Sequence, residues 1–257
     1  LLKFTNLSQA IGADPFDMDE HTLIPNSKKN YQMLLEKFIK KENFILKFKN
    51  YKNYLAETAE NFSFIPNDYK LKINVNKKKF LFKKIDANDL GLLNQKFDIV
   101  YCKALEHIPN WKNVFNQISK ITKKNSVLYF KHRSFFSYLG PHRYGTSGIP
   151  WGHLLLNDKE YSRYIDYFHQ DRAEKMREFF FKGLAYPRYT VSQLIEIAAS
   201  NGFVMKCEKV ETPSYLNKLL ELSATKNFWK KIRKNYPTVS SEELFSSVYH
   251  IVFQKIK

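Results

Sequence analysis

An α/β fold, a mainly parallel sheet with helices on both faces, is what the sequence predicts, and three features carry that expectation. Lys96 and Asp98 flank the run Ile99-Val-Tyr-Cys102, which is short, β-prone and mostly apolar, as a parallel strand covered on both faces should be. From Trp111 the apolar positions become Trp111, Val114, Phe115, Ile118 and Ile121, the i, i+3, i+4, i+7 spacing of a helix stripe. After a polar turn, Thr122-Lys-Lys-Asn125, the segment Val127-Leu-Tyr-Phe130 reads as another strand. Strand, helix and strand make one βαβ unit, and open sheets of this kind meet ligands beyond the carboxyl ends of their strands.

The other elements follow in chain order. Ala10-Ile-Gly-Ala-Asp14 reads as a short strand ending in a carboxylate. In nucleotide-binding α/β folds such a residue ends the second strand, accepts hydrogen bonds from ribose hydroxyls, and follows a glycine-rich loop by about 20 residues. Only 13 residues precede Asp14 and no GxGxG occurs, so the first strand and its loop are expected to fall before Leu1. The alternative for Asp14 is a turn with Pro15. Between Ser27 and Phe48, Tyr31, Leu34, Leu35, Phe38 and Ile39 share one helix face, whereas 49–76 has no period and reads as an insertion. Lys79-Phe-Leu-Phe-Lys-Lys-Ile85 reads as a strand running into Asp86-Ala87-Asn88-Asp89, where Asp89 can instead cap a turn.

Toward the carboxyl terminus, Thr190-Val-Ser-Gln193 has capping-box spacing ahead of the face Val191, Leu194, Ile195 and Ala198. Asn201-Gly202 closes that helix with a left-handed cap, and Phe203 to Val210 reads as a strand. Residues 215–235 predict an amphipathic basic helix around Leu219, Leu220, Leu222, Phe228 and Trp229, packed on the sheet or, alternatively, resting on an acidic membrane surface. A second capping box from Ser240 to Glu243 leads to a last strand, Val248 to Phe253.

Between these parts lies Lys131 to His153, dense in groups that bind or react. Four of the eight glycines fall within Gly140 to Gly152 with two prolines among them, the composition of a loop of defined turns. His132, His142 and His153 supply three of the seven histidines, and Arg133 and Arg143 suit a carboxylate or phosphate. His142 and His153 are the candidate general bases, because imidazole titrates near neutral pH. A structural role for these imidazoles, satisfied by backbone carbonyls, is the rival reading. His132, Arg133, Arg143 and Trp151 are the candidate substrate contacts, with core packing as the alternative for Trp151. Spacings of 10 and 11 between the histidines match no compact ligand motif, so no metal is expected. Residues 157–184 read as a charged, aromatic helix that, with the preceding loop, forms a lid or substrate module.

At 257 residues and 44% hydrophobic content, the chain can bury the core of one large domain. No apolar run approaches the roughly 18 residues of a membrane span. Cys102 and Cys207 are not expected to pair, which suits a reduced, cytoplasmic setting. The net charge of +17 invites a nucleic-acid reading, but the lysines are scattered and arginine is sparse, so a solvated lysine-rich surface is the simpler account.

Phe97-Asp-Ile-Val100 and Leu105-Glu-His107 stand at the separation of the FDxVxxxxxLEH pattern on the fourth strand of class I S-adenosylmethionine-dependent methyltransferases. The chain resembles the second half of that family, of the type 11 kind. Where the family has Pro-Gly-Gly before its fifth strand, this chain has Lys124-Asn125-Ser126; Asn tolerates a left-handed backbone better than most residues. The Gly-Pro-His142 and Pro-Trp151-Gly-His153 pieces are similar to a run in a subgroup of these enzymes. The resemblance implies a Rossmann-like sheet whose last strand runs antiparallel beside the fifth and sixth. It also implies S-adenosylmethionine as cofactor and in-line attack on its sulfonium methyl by an acceptor oxygen or nitrogen, on a small molecule, sugar or lipid. It places Asp14 on ribose, Asp86 and Ala87 on the adenine edge, and Tyr101, Cys102 and Lys103 along the cofactor cleft. Residues 1–131 then form the cofactor-binding part, 132–189 the substrate insertion, and 190–257 the rest of the same sheet. A dinucleotide-dependent oxidoreductase and a basic nucleic-acid-binding module are the rival functions.

Overall fold

The computed structural model describes residues 9–15, 79–142, 149–184 and 187–256. The helix expected over 27–48, the insertion over 49–76 and Arg143 lie outside them. The chain divides into two compact units, Leu1–Ala87 and Asn88–Lys257. That boundary falls inside the stretch expected to bind cofactor.

In the first unit, β1 (Gln9–Asp14) and β2 (Lys79–Lys84) pair in parallel, from Gln9 opposite Lys79 to Asp14 opposite Lys84. The Ile85 N–H donates to the Asp14 carbonyl at 2.8 Å, extending the ladder one step past β2. Asp14 therefore closes one strand, and Asp86 follows the end of its neighbour at the same carboxyl edge.

The second unit is built on a four-stranded sheet of order β3-β4-β6-β5. Its strands are β3 (Phe97–Cys102), β4 (Thr122–His132), β5 (Phe203–Glu211) and β6 (Val248–Lys255). β3 and β4 run parallel, joined by helix α1 (Trp111–Lys120), while β6 lies antiparallel between β4 and β5. The antiparallel last strand thus sits beside the two strands expected.

Helix α1 forms because its apolar stripe has the helical period and its first turn is capped. Asn110, at φ 54°, accepts from the Asn113 N–H, while Trp111, Val114, Phe115 and Ile118 are buried. Each such side chain contributes about 1.5–3 kcal/mol on leaving water. The Phe115 ring lies 5.4 Å from Phe130 and 6.3 Å from both Phe203 and Phe253, joining the helix to three strands. Beside α1 packs α5 (Val191–Ser200), whose Thr190 capping box is present in full and whose chain leaves through Gly202 at φ 83°.

Four expectations are corrected. β3 is not covered on both faces: Ile99 and Tyr101, which share one face of the strand, are 49% and 46% exposed. Residues 122–125 form no separate turn; β4 begins at Thr122 and bulges, with Phe97 opposite Thr122 but Ile99 opposite Val127. Within the bulge Asn125 takes φ 66°, the left-handed backbone that its short side chain permits. The helix expected over 215–235 is two, α6 (Leu216–Ser223) and α7 (Lys226–Asn235), because Thr225 starts a new helix by accepting from the Phe228 N–H. Residues 157–184 are likewise several pieces: α3 (Asp158–His169), α4 (Ala173–Glu178) and a wide turn, Phe179–Gly183.

Beyond β4 a second apolar cluster gathers Phe135, Trp151, Tyr161, Ile165 and Phe180 with Leu219, Phe228, Ile232 and Leu244. Residues 132–189 are therefore anchored by a core shared with α6, α7 and α8 (Ser241–Phe245). A short helix, α2 (Gly152–Leu155), brings His153 and Leu154 into this core. Among the described residues no helix is long and apolar enough to cross a membrane.

Candidate active site

At the carboxyl end of β3 the chain enters a tight turn, Leu105–His107. Leu105 is fully buried, and its carbonyl accepts from the Trp111 indole N–H at 3.1 Å, so the turn is pinned between strand and helix. Glu106 and His107 are held by that anchor.

Three imidazoles and one carboxylate meet here. His107 Nδ1 lies 2.7 Å from the Gly183 carbonyl oxygen. A carbonyl only accepts, so Nδ1 carries the hydrogen and Nε2 carries the lone pair. That lone pair faces His142 Nε2 at 2.8 Å, so His142 donates through Nε2. Glu106 Oε1 stands 3.7 Å from the same nitrogen, and Glu106 Oε2 stands 3.9 Å from His132 Nδ1. Phe179 presents edge contacts to both rings of the pair, at 5.8 Å to His107 and 5.1 Å to His142.

The electrostatics follow from these neighbours. Burial pushes the Glu106 carboxyl up, but His132, its own backbone N–H and His107 outweigh that push and hold it below the usual carboxylate range. His142 is held below the ordinary imidazole value first by burial, then by the His107 and Arg133 charges, with Glu106 opposing.

The candidate residues separate sharply. His142 joins the cluster, and Arg133 is exposed within electrostatic reach of it. His153 does not join and is corrected as a base. It is 3% exposed, its Nε2–H donates to the Phe135 carbonyl at 2.7 Å, and burial drives its pKa to about 4. Trp151 is corrected as a substrate contact: it is buried against Phe228 and Phe245, and its indole N–H donates to the Leu244 carbonyl at 2.9 Å. His132 is also buried, edge-on to Trp111 behind the Glu106 carboxylate, which removes it from contact with a substrate.

Tyr101 stacks on Tyr129 at 5.4 Å, Lys103 is exposed, and burial pushes the Cys102 thiol up to about 11, so it stays protonated at neutral pH. Asp14 and Asp86, with Ala87 after it, share the carboxyl edge of the β1–β2 pair. Glu106 and His107 are the residues that sequence reasoning quoted without assigning a role. Their signal was a carboxylate and an imidazole in succession just past a strand expected to open onto a site.

Residues 54–130 match the family described as methyltransferase domain, a stretch that takes in β2, β3, the Leu105–His107 turn and α1. That stretch of the chain is similar to a methyltransferase domain. S-adenosylmethionine is the cofactor expected for such a domain. Solved methyltransferase-type structures are similar to the chain at low identity. A candidate sarcosine dimethylglycine methyltransferase from Galdieria sulphuraria shares 12% identity at TM-score 0.36, over 81% of this chain and 64% of that one. An S-adenosylmethionine-dependent methyltransferase from Mesorhizobium loti shares 12% at TM-score 0.37, over 68% and 70%. A cyclopropane synthase from Mycobacterium tuberculosis shares 15% at TM-score 0.37, over 79% and 67%. The chain thus spans less than two thirds of the Galdieria protein. No curated protein matches it.

Proposed function

We propose that the chain performs S-adenosylmethionine-dependent methyl transfer to an oxygen or nitrogen of a small-molecule, sugar or lipid acceptor. The observation that supports this most is the methyltransferase domain match, which ends in the strand next to the Glu106–His107–His142 cluster.

The donor set fits the cofactor. Asp14 ends β1 and Asp86 follows the end of β2 by two residues, and carboxylates accept hydrogen bonds from hydroxyl and amino groups. Asp14 is assigned to the ribose hydroxyls, and Asp86 with Ala87 to the adenine edge. Tyr101, Cys102 and Lys103 are assigned to the cleft wall. The bound cofactor supplies a sulfonium methyl.

The cluster handles the proton. His142 donates its Nε2–H in a hydrogen bond to His107 Nε2 and so holds its own lone pair on His142 Nδ1, the atom assigned to take the proton of the acceptor hydroxyl or amine. The resulting imidazolium is steadied by the Glu106 carboxylate 3.7 Å away. Arg133 and Arg143 are assigned to an acidic part of the acceptor, through paired hydrogen bonds. Replacing His142 with Ala should lower turnover by about 100-fold or more, the typical weight of a general base, without changing S-adenosylhomocysteine affinity. Turnover that survives the substitution overturns the assignment.

A further inference from the structure

We infer that Glu106, His107 and His142 also form a binding site for one divalent transition-metal cation of the zinc class. Glu106 Oε1, His107 Nε2 and His142 Nε2 all lie within 4.8 Å of one another. Ligands about 2.1 Å from a tetrahedral zinc ion stand roughly 3.4 Å apart, so small side-chain rotations convert this set into three first ligands. One carboxylate and two imidazoles suit zinc and its neighbours better than magnesium or calcium, which prefer all-oxygen shells.

Two further observations point to a ligand. The Glu106 side chain is 8% exposed, and its Oε2 makes no direct hydrogen bond, only the 3.9 Å approach to His132 Nδ1, which leaves Oε1 facing the two imidazole nitrogens. His107 also has the support typical of a ligating histidine: its far nitrogen donates to a backbone carbonyl, of Gly183, and so turns the Nε2 lone pair toward the other two atoms. His132 lies behind the carboxylate, 3.9 Å from Oε2, where an outer partner of a ligating carboxylate belongs.

Occupancy has a chemical consequence. For His142 to ligate through Nε2, the hydrogen now held there moves to Nδ1, and no net proton leaves the ring. Nδ1 then bears a hydrogen and takes no other. A bound cation therefore inhibits the proton-accepting role, a consequence that rests on the methyl-transfer reading, whereas the binding itself does not.

Binding is measured without turnover, by titrating chelator-stripped protein with Co²⁺ and following ligand-field absorbance, then displacing it with Zn²⁺. The expected result is one equivalent of Co²⁺. Affinity should fall by at least ~100-fold in His142→Ala and in Glu106→Gln, a loss at or above that seen when outer partners of metal ligands are removed, and stay unchanged in His169→Ala. Far-UV circular dichroism on each variant, and the milder His107→Asn, separate a lost ligand from a lost fold. Absence of saturable Co²⁺ binding, or equal binding by wild type and folded His142→Ala, overturns the inference. If binding holds but Zn²⁺ leaves turnover unchanged, the site stands and the general-base assignment of His142 falls.

Discussion

Two buried ionisable groups pull stability in opposite directions with pH, and separating them tests the electrostatics of the second core. Glu243 is 1% exposed; burial, with Glu208 adding to it, raises its pKa from 4.5 to about 7, although the Ser134 hydroxyl and the Val191 N–H both donate to its Oε1. A raised acid binds more protons folded than unfolded between those values, so stability falls as pH rises from about 4.5 to 7. His153 moves the other way, from 6.5 to about 4, so the folded protein binds fewer protons there and stability falls as pH drops through that window. Each shift spans about 2.5 units, which at 1.36 kcal/mol per unit is roughly 3 kcal/mol. The two slopes nearly cancel between about pH 4.5 and 6.5, and each emerges when the other is removed. Glu243→Gln keeps an oxygen for both donors but no longer ionises. Urea unfolding at fixed temperature should show Glu243→Gln gaining roughly 3 kcal/mol relative to wild type between pH 4.5 and 7.5. His153→Gln should show its relative gain on the acid side, below pH 6.5. A Glu243→Gln difference that stays constant across the range would refute the reasoning.

Other outcomes follow from single contacts. Phe115→Ala empties the junction of α1 with three strands and should cost about 3–5 kcal/mol, read from urea midpoints. Trp151→Phe leaves the buried Leu244 carbonyl without its indole donor and should cost about 1–3 kcal/mol, while the acceptor KM stays unchanged because the ring faces the core. Thr190→Ala removes the cap of α5 and should cost about 1 kcal/mol, with proportionate loss of thermal stability.

Much of the fold was legible because local chemistry and global topology agree. The stripe from Trp111 to Ile118, the Thr190–Gln193 box and the left-handed Asn125 and Gly202 each state a backbone choice that the packed structure keeps. The break at Thr225 was hidden because Leu222 and Trp229, seven residues apart, keep the helical period across it; the cap at Thr225 is what interrupts the helix. The site was half legible. The histidine-rich loop pointed to His142, but composition could not tell an imidazole aimed at a cluster from one turned into a core, as His153 is. Glu106 and His107 escaped assignment because their partners, His142 and Gly183, come from 35 or more residues away in sequence, beyond any local motif.

The central claim of the proposal is that a nucleoside is gripped at the carboxyl ends of β1 and β2. Calorimetric titration with S-adenosylhomocysteine, run beside NAD on wild type, Asp14→Ala and Asp86→Ala, tests it most directly. The account predicts S-adenosylhomocysteine binding by the wild type, none for NAD, and about 10-fold or greater weakening in each variant, the weight of one hydrogen bond to a charged group. Binding of NAD in preference, or S-adenosylhomocysteine affinity indifferent to both carboxylates, would contradict it.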